Sequence, residues 1–587
     1  MLTMRTDLED DIVGAESTSV KNGDSDGARR ADAYVQWLLI SGLVCFGFAA
    51  VASFVILLRL WLMGYAEEGL VFRLLVKGVF FTLMLGICAL LAHRSREKVK
   101  PVPHKSIPRE STPRWLYAVV GILLLAVGYP MLHEYPWSAP DEVRHLVVVR
   151  NISEYSAYAS GNPTAGFTYF DHVDSVGPSV LGPIALAFKT FSPTITVARM
   201  VMGTFFLGLA FGIFVLVQDF WGRREAVLSV AITTLSFGTI YLARSLYGEV
   251  PALMFLVWSM VCWGRSFHSD RGNALAVASG VLWGLGILAK SFLFLSVFPI
   301  IGVWLYDRLT TKQISAKQIL LPGVGGLAVL GTWYVTTAYY SYLVTEEISM
   351  VFLYRHYLMF GLPSSRNGFE WFANQPVYSA SLLVIVLYAI PQLFERIQNP
   401  ALRVSLLSSE LYLFWWIFYT PASIFRYMWY SCAIVGIFSG PMILRGYRAV
   451  RDSASPPRQR IVFLLAGVSV LIPCGYRLIE QLGLIYMQDE AADERDLAEY
   501  LRSLPEDVFI ASAYWPIGMS MDFMAQRNIH GIADLSDIDD KYDVIIYNVD
   551  FDPVNAETLE GAHRIGRYAV IRTDRTKGTT YFDRQRN

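Results

Sequence analysis

Charged residues are scarce in this sequence. Asp, Glu, Lys and Arg make up 17% of its 587 residues, against roughly 25% in soluble proteins. A soluble chain of this length would form several domains, each needing a charged surface, and that surface is missing. Hydrophobic residues account for 54% and the mean hydropathy is +0.39, which excludes a soluble multidomain protein and places much of the chain in lipid. An excess of either sign is missing too. The 49 basic and 50 acidic residues leave a formal charge of −1, so there is no electrostatic footprint for nucleic acid. Cysteine is sparse: Cys45, Cys88, Cys262, Cys432 and Cys474 all sit inside apolar runs, with no CxxC or Cys/His metal spacing. They read as small core residues and not as a disulfide framework or zinc site. No solenoid repeat is present. Residues 1–33 are polar and acidic with no apolar h-region, and read as a disordered cytoplasmic tail without a cleavable signal peptide.

What is abundant is apolar and aromatic: 15 Trp, 32 Tyr and 35 Phe. Taking about 20 apolar residues per span gives about thirteen candidate transmembrane helices. They centre on 35–61, 72–92, 116–133, 197–219, 225–242, 250–264, 274–289, 291–306, 318–340, 377–395, 404–420, 427–444 and 461–482. The two short runs that meet at Lys290 also fit one re-entrant hairpin. Basic residues gather in one set of loops: Arg94 to Arg114, Arg223 and Arg224, Arg265 and Arg271, Arg308 to Lys317, and Arg445 to Arg460. The positive-inside rule then puts the N-terminus in the cytoplasm. Loops 134–196 and 341–376, and the tail after 483, fall outside. In that tail ERDLAEYLRSL has the helix period, with Leu497, Leu501 and Leu504 on one face. VFIAS, YDVIIYNV and RYAVIRT follow as strands between Pro, Asp and Gly turns. The expected fold is therefore an α-helical polytopic membrane protein with a small extracytoplasmic α/β domain at 483–587. Residues 34–115 carry two additional helices and a basic cytoplasmic loop, and 116–482 form the main helical body.

The ionisable residues cluster at the outer boundary. The loop after the third span begins YPWSAPDEVRHLVVVRNISEY. Pro140 suits a first helical turn, and Asp141 and Glu142 suit its positive end. The helix period puts Asp141, Arg144 and His145 on one face. Two carboxylates just outside a span are an expensive placement without a use, yet plain N-terminal capping fits the same residues. The DEVRH string is not the zinc-protease H-E-x-x-H, because Asp141 stands where the first His must be. Asp171, His172 and Asp174 lie later in the loop and could join it around a metal, or stand solvated. The segment DHVDSVGPSVLGPIALAFKTF is broken by Pro178 and Pro183 and reads as an interfacial helix. Arg244 and Glu249 stand at an outside mouth. Lys290 ends a Gly-spaced helix, where it fits either a snorkelling residue or a point charge for a phosphate. Arg426 and Tyr427 stand at a late outside boundary, and His356 lies in loop 341–376 among aromatics and mixed charges.

Taken in this order, the span, the outside Asp-Glu helix, the Gly/Pro segment, R-x4-E, GLGxLxK and a late R-Y resemble the GT-C superfamily of polytopic glycosyltransferases. The likeness is to the protein mannosyltransferases and the lipid A aminoarabinose transferases, and runs from Trp115 to Tyr340. It extends more loosely through Arg426 and Tyr427 to the tail. The resemblance implies a GT-C fold with its catalytic core at 116–482. It implies transfer of one hexosyl or pentosyl group from a polyprenyl-phosphate donor on the outer membrane face. The acceptor would be a lipid-linked glycan, a cell-wall polymer or a protein. Asp141 matches the acidic residue that the family places at the reacting centre, and Glu142 its acidic neighbour. Glu249 matches an Asp/Glu position before a span, and Lys290 a lysine near the donor. Where aminoarabinose transferases have Lys-Pro-Pro, this chain has Val176-Gly177-Pro178, which hands the phosphate contact to Lys290, Arg244 or Arg426, with Tyr427 beside it. His145, Asp171, His172, Asp174 and His356 are candidate acceptor or metal contacts. A divalent ion is the one cofactor considered.

The chemistry fits these residue types. A phosphodiester leaves readily, so one carboxylate base attacking from the opposite face suffices and gives inversion. Basic side chains then hold the phosphate. Two other readings compete. A transporter or lipid flippase would carry intramembrane charge in two related halves, and no half-repeat is apparent. An oligosaccharyltransferase of the same superfamily carries a WWDYG-type string, but Trp415-Trp416 here continues Ile-Phe-Tyr-Thr inside a span.

Overall fold

The computed structural model describes residues 113–134, 140–162, 166–170, 176–309, 314–345, 402–405, 407–409, 412, 425–451, 478–479, 481–486, 492–512, 521–527, 529–531, 542–549 and 562–572. The expected tail 1–33, the first two expected spans, loop 341–376 with His356, and Asp171, His172 and Asp174 lie outside the described residues. So do the expected spans at 377–395 and, for nearly all of its length, 461–482. Contacts group the chain into two units. One contains 300–314, with 1–108 and 387–395. The other, treated from here on, contains 109–299, 315–386 and 396–587.

The helical part begins with α1 (Arg114–Gly128) and α2 (Pro140–Tyr155). Pro140 supplies the fixed φ of a first turn, and Asp141 and Glu142 complement the exposed N–H groups there. A short antiparallel hairpin, β1 (Ala159–Asn162) with β2 (Gly166–Tyr169), pairs Ala159 with Tyr169. The segment expected to lie in the interface is α3 (Pro178–Thr190), which buries Val180, Leu181, Ile184, Ala185 and Phe188. Next comes α4 (Ile195–Phe220), 26 residues capped by the Thr194 hydroxyl, which accepts from the Val197 N–H at 3.3 Å.

The expected span at 225–242 is interrupted. It forms α5 (Arg223–Thr234) and α6 (Phe237–Ala243), with the break at Leu235 and Ser236. The hydroxyls of Ser236 and Thr239 donate to the Thr233 carbonyl at 3.0 and 2.6 Å. A break in a buried helix frees backbone groups that water cannot reach, and neighbouring hydroxyls are the usual substitutes. The sequence continues as α7 (Glu249–Ser266) and α8 (Gly272–Ala289). A 3-10 turn, Ser291–Ser296, follows Lys290, and α9 (Val297–Leu309) comes next. Then come α10 (Lys317–Thr345) and α11 (Phe425–Arg451). Helix α8 packs along α7 and α10, α4 along α5 and α7, and α11 along α5.

Among the described residues, three helices are long and apolar enough to cross a bilayer: Ile195–Phe220, Gly272–Ala289 and Lys317–Val344. Most of the other expected spans that fall in described residues are shorter, as α1 is, or broken, as α5 and α6 are. Periodicity sees apolar length but not a hydroxyl-satisfied break.

The C-terminal part has α12 (Ala492–Ser503) and a five-stranded sheet in the order β4-β3-β5-β7-β6. The strands are β3 (Ile510–Ser512), β4 (Ile529–Gly531), β5 (Val544–Asn548), β6 (His563–Ile565) and β7 (Tyr568–Arg572). Strand β3 runs parallel to β4 and β5, and β7 antiparallel to β5 and β6. Strand alternation sends Val544 and Ile546 into a cluster with Leu497, Ala498 and Leu501 of α12, and Ile545 and Tyr547 to the other face. Tyr568 in that first cluster donates its hydroxyl to Glu494 Oε1 at 2.5 Å. Burial, and then the Glu494 charge, push the phenol above its ordinary value. Its neutral form is thus favoured by folding, so this contribution is full below about pH 10 and is lost as pH rises above it. Tyr568→Phe should cost about 1–3 kcal/mol, read as a lowered melting temperature at neutral pH that narrows toward wild type under alkaline conditions.

Candidate functional site

Helix α2 is held at its N-terminal end by two inward side chains. Glu142 is fully buried and accepts from Arg199 of α4 twice, Nε to Oε1 at 3.0 Å and Nη2 to Oε2 at 2.7 Å. Glu142 Oε1 also accepts the Leu246 N–H at 3.2 Å. His145, 1% exposed, places Nδ1 2.8 Å from the Leu246 carbonyl, so that ring nitrogen carries the proton and donates. Both backbone groups of Leu246 are thereby satisfied from α2. Arg199 Nη1 donates to the Leu132 carbonyl at 2.7 Å. A carboxylate taken out of water needs a partner of this kind.

These contacts show which residues of this string turn inward. Glu142 and His145, three apart, form the inward face, while Asp141 and Arg144 are half-buried on its flank. Glu142, expected beside the chemistry, and His145, expected as an acceptor or metal contact, both bond Leu246 and anchor α2 to the 244–249 loop. Arg199 was not anticipated. Its signal was available, since a lone arginine inside the apolar run of ITVARMVMG is costly without a partner.

The 244–249 loop is the next layer. Arg244, fully buried at the end of α6, donates to the carbonyls of Val127, Pro130 and Met131 at 2.9, 2.6 and 3.0 Å. Those carbonyls belong to the end of α1 and the turn after it, where helix geometry leaves acceptors without intrahelical donors. Arg244, expected as a phosphate contact, makes these backbone bonds. Gly248 follows with φ +80°, a conformation that favours glycine, and α7 begins at Glu249.

Three motifs that are far apart in sequence converge here. Lys290 Nζ lies 3.1 Å from Glu249 Oε1, with both side chains fully buried, and donates to the Tyr247 carbonyl at 3.0 Å. Gly177 donates its N–H to the Ala289 carbonyl at 3.4 Å, and a Cβ on Gly177 would lie 1.9 Å from the Leu288 carbonyl oxygen. A Cβ on Gly248 would lie 2.7 Å from the Ala289 carbonyl oxygen. Val176-Gly177-Pro178, Arg244–Glu249 and Leu288–Lys290 therefore meet backbone to backbone, with glycine where nothing larger fits. From α11, Tyr430 donates its hydroxyl to the Glu249 carbonyl at 2.9 Å. Arg426 and Tyr427 sit one turn earlier in α11, at its start.

Among the described residues, no three of His, Cys, Asp and Glu are grouped so as to hold a metal ion. Asn151, which has the form of a glycosylation sequon, is fully buried and donates to the Ala159 and Gly161 carbonyls at 2.9 Å each.

Residues 177–335 match the family described as dolichyl-phosphate-mannose-protein mannosyltransferase. In structure the chain is similar to ArnT from Cupriavidus metallidurans bound to undecaprenyl phosphate. The two are 12% identical with a TM-score of 0.56, over 78% of this chain and 97% of that one. The apo state of ArnT from the same organism gives 12% identity and a TM-score of 0.54, over 79% and 98%. The chain has the fold of the GT-C glycosyltransferases. Among curated proteins, no sequence matches it. The mannosyltransferase match opens at Gly177 and includes Glu249 and Lys290, while α2 with Asp141 precedes it. A helical, multi-pass membrane protein follows from the fold and from the three long apolar helices.

Proposed function

We propose that this protein transfers a single sugar from a polyprenyl-phosphate donor to a hydroxyl of a lipid-linked glycan, cell-wall polymer or protein on the outer membrane face. The observation that carries the reading is Asp141. It is half-buried in the first turn of α2, a helix fixed beside the Gly177, Gly248 and Lys290 junction by two buried side chains. That undecaprenyl phosphate is bound to ArnT, whose fold this chain shares, supports a polyprenyl-phosphate donor.

In the proposed reaction the acceptor oxygen attacks the anomeric carbon as the carbon–phosphate-oxygen bond breaks. The hydroxyl proton passes to Asp141, and the polyprenyl phosphate leaves with the bonding pair. Attack opposite the leaving group gives inversion. Arg426, Tyr427 and Lys290 are the proposed phosphate contacts, Lys290 after release from Glu249. Asp171, His172, Asp174 and His356 are proposed acceptor or metal contacts.

The test uses purified protein in lipid, a panel of polyprenyl-phosphate sugars and a crude lipid and cell-wall extract. Transfer of one sugar with release of polyprenyl phosphate is the expected result. Neither transfer nor binding of any donor would overturn the reading and bring a transport role forward.

A further inference from the structure

Helix α2 has a second anchor, and it comes from the C-terminal sheet. Arg150 Nη2 lies 2.8 Å from Asp522 Oδ2, and Arg150 Nη1 donates to the Asp522 carbonyl at 3.1 Å. The side chains are 11% and 7% exposed, so the pair is largely shielded from water and from salt. Asp522 belongs to a helical stretch, 521–525, that lies between β3 and β4. Its Oδ1 accepts the Ile529 N–H at 3.4 Å at the start of β4. The next residue, Phe523, stacks on Phe188 of α3, with centroids 6.2 Å apart at 27°. One short segment therefore grips α2 through a charge and α3 through a ring.

We infer that the C-terminal sheet is a positioning element for the proposed transfer, and that Arg150 is a positioning residue acting through α2 on Asp141. This inference rests on the proposed function. Asp141 and Arg150 are nine residue steps apart along the helix, about 14 Å at 1.5 Å per residue. A helix transmits a shift over that length as a rigid rod. Glu142 and His145 fix α2 at one end; toward the other, Asn151 ties it to the β1 hairpin, and Arg150 adds the charged contact that sets its orientation. The fork of the guanidinium takes both a side-chain and a main-chain oxygen of one residue, which sets orientation as well as distance.

The test compares Arg150→Ala, Arg150→Lys, Asp522→Asn and the Arg150→Ala/Asp522→Asn double variant in lipid. It measures kcat, donor KM and hydrogen exchange of the α2 amides. Arg150→Ala should lower kcat by about 10- to 100-fold with donor KM within about twofold, while exchange rises along α2 and not in α4. Arg150→Lys should recover part of the rate, and the double variant should lose no more than Arg150→Ala alone, as coupled partners do. Unchanged α2 exchange in Arg150→Ala overturns the inference whatever the activity. So does raised exchange with wild-type kcat. If wild type transfers no sugar, the proposed function fails and the exchange arm still decides whether the sheet holds α2. Should Arg150→Ala not fold, Arg150→Lys and Asp522→Asn carry the same comparison.

Discussion

Asp141→Asn is expected to abolish sugar transfer, lowering kcat by about 1,000-fold or more, while the protein folds and binds the donor as wild type does. A positioned general base contributes typically about 10²- to 10⁴-fold. Asn keeps the size and helix-start preference of Asp, so only the proton acceptor is removed. The adjacent carboxylate makes an internal control. Glu142→Gln leaves the Arg199 guanidinium buried without its charge partner, so its loss should appear first as lowered stability, at about 3–5 kcal/mol for a broken buried pair. Two neighbouring residues thus give opposite signatures: a folded, inactive protein for one and an unstable protein for the other. The comparison needs a rate assay, a donor-binding titration and a melting curve on each variant. A near-normal rate for Asp141→Asn would remove it from the base role.

The order of motifs was legible in the sequence, and so was the grouping of Glu249 with Lys290 near one boundary. What joins them was not. Helical period alone put Asp141, Arg144 and His145 on one face, but which part of a short helix turns inward depends on what it meets. Here it meets the Leu246 backbone, and Glu142 with His145 satisfies it. Arg244 and Arg199 were open to the same ambiguity. A buried arginine can serve a ligand or a helix end, and only coordinates show the carbonyls of Val127, Pro130 and Leu132 in reach. In the tail, the segments read as strands contain β3, β5 and β7, whereas β4 and β6, three residues each, were missed. Both are edge strands too short to show a period, whereas β3, equally short, was read because it lies in the longer apolar run VFIAS.

The pair of Lys290 and Glu249 should behave as a unit. Lys290→Met alone leaves Glu249 charged and fully buried, and Glu249→Leu alone does the same to Lys290; each is expected to destabilise by about 3–5 kcal/mol. Lys290→Met with Glu249→Leu removes both charges, keeps the volume and should melt within a few degrees of wild type. That folded double variant then isolates function from stability. In the proposed cycle Lys290 leaves Glu249 for the donor phosphate, so donor affinity in the double variant should fall by about tenfold or more, the 1.4 kcal/mol or more lost with one charge-assisted contact, with acceptor KM unchanged. Glu249 gives the buried lysine a carboxylate partner at 3.1 Å. A double variant that folds and binds donor as wild type does would make the pair a lock between α7 and α8, and would leave the phosphate to Arg426 and Tyr427.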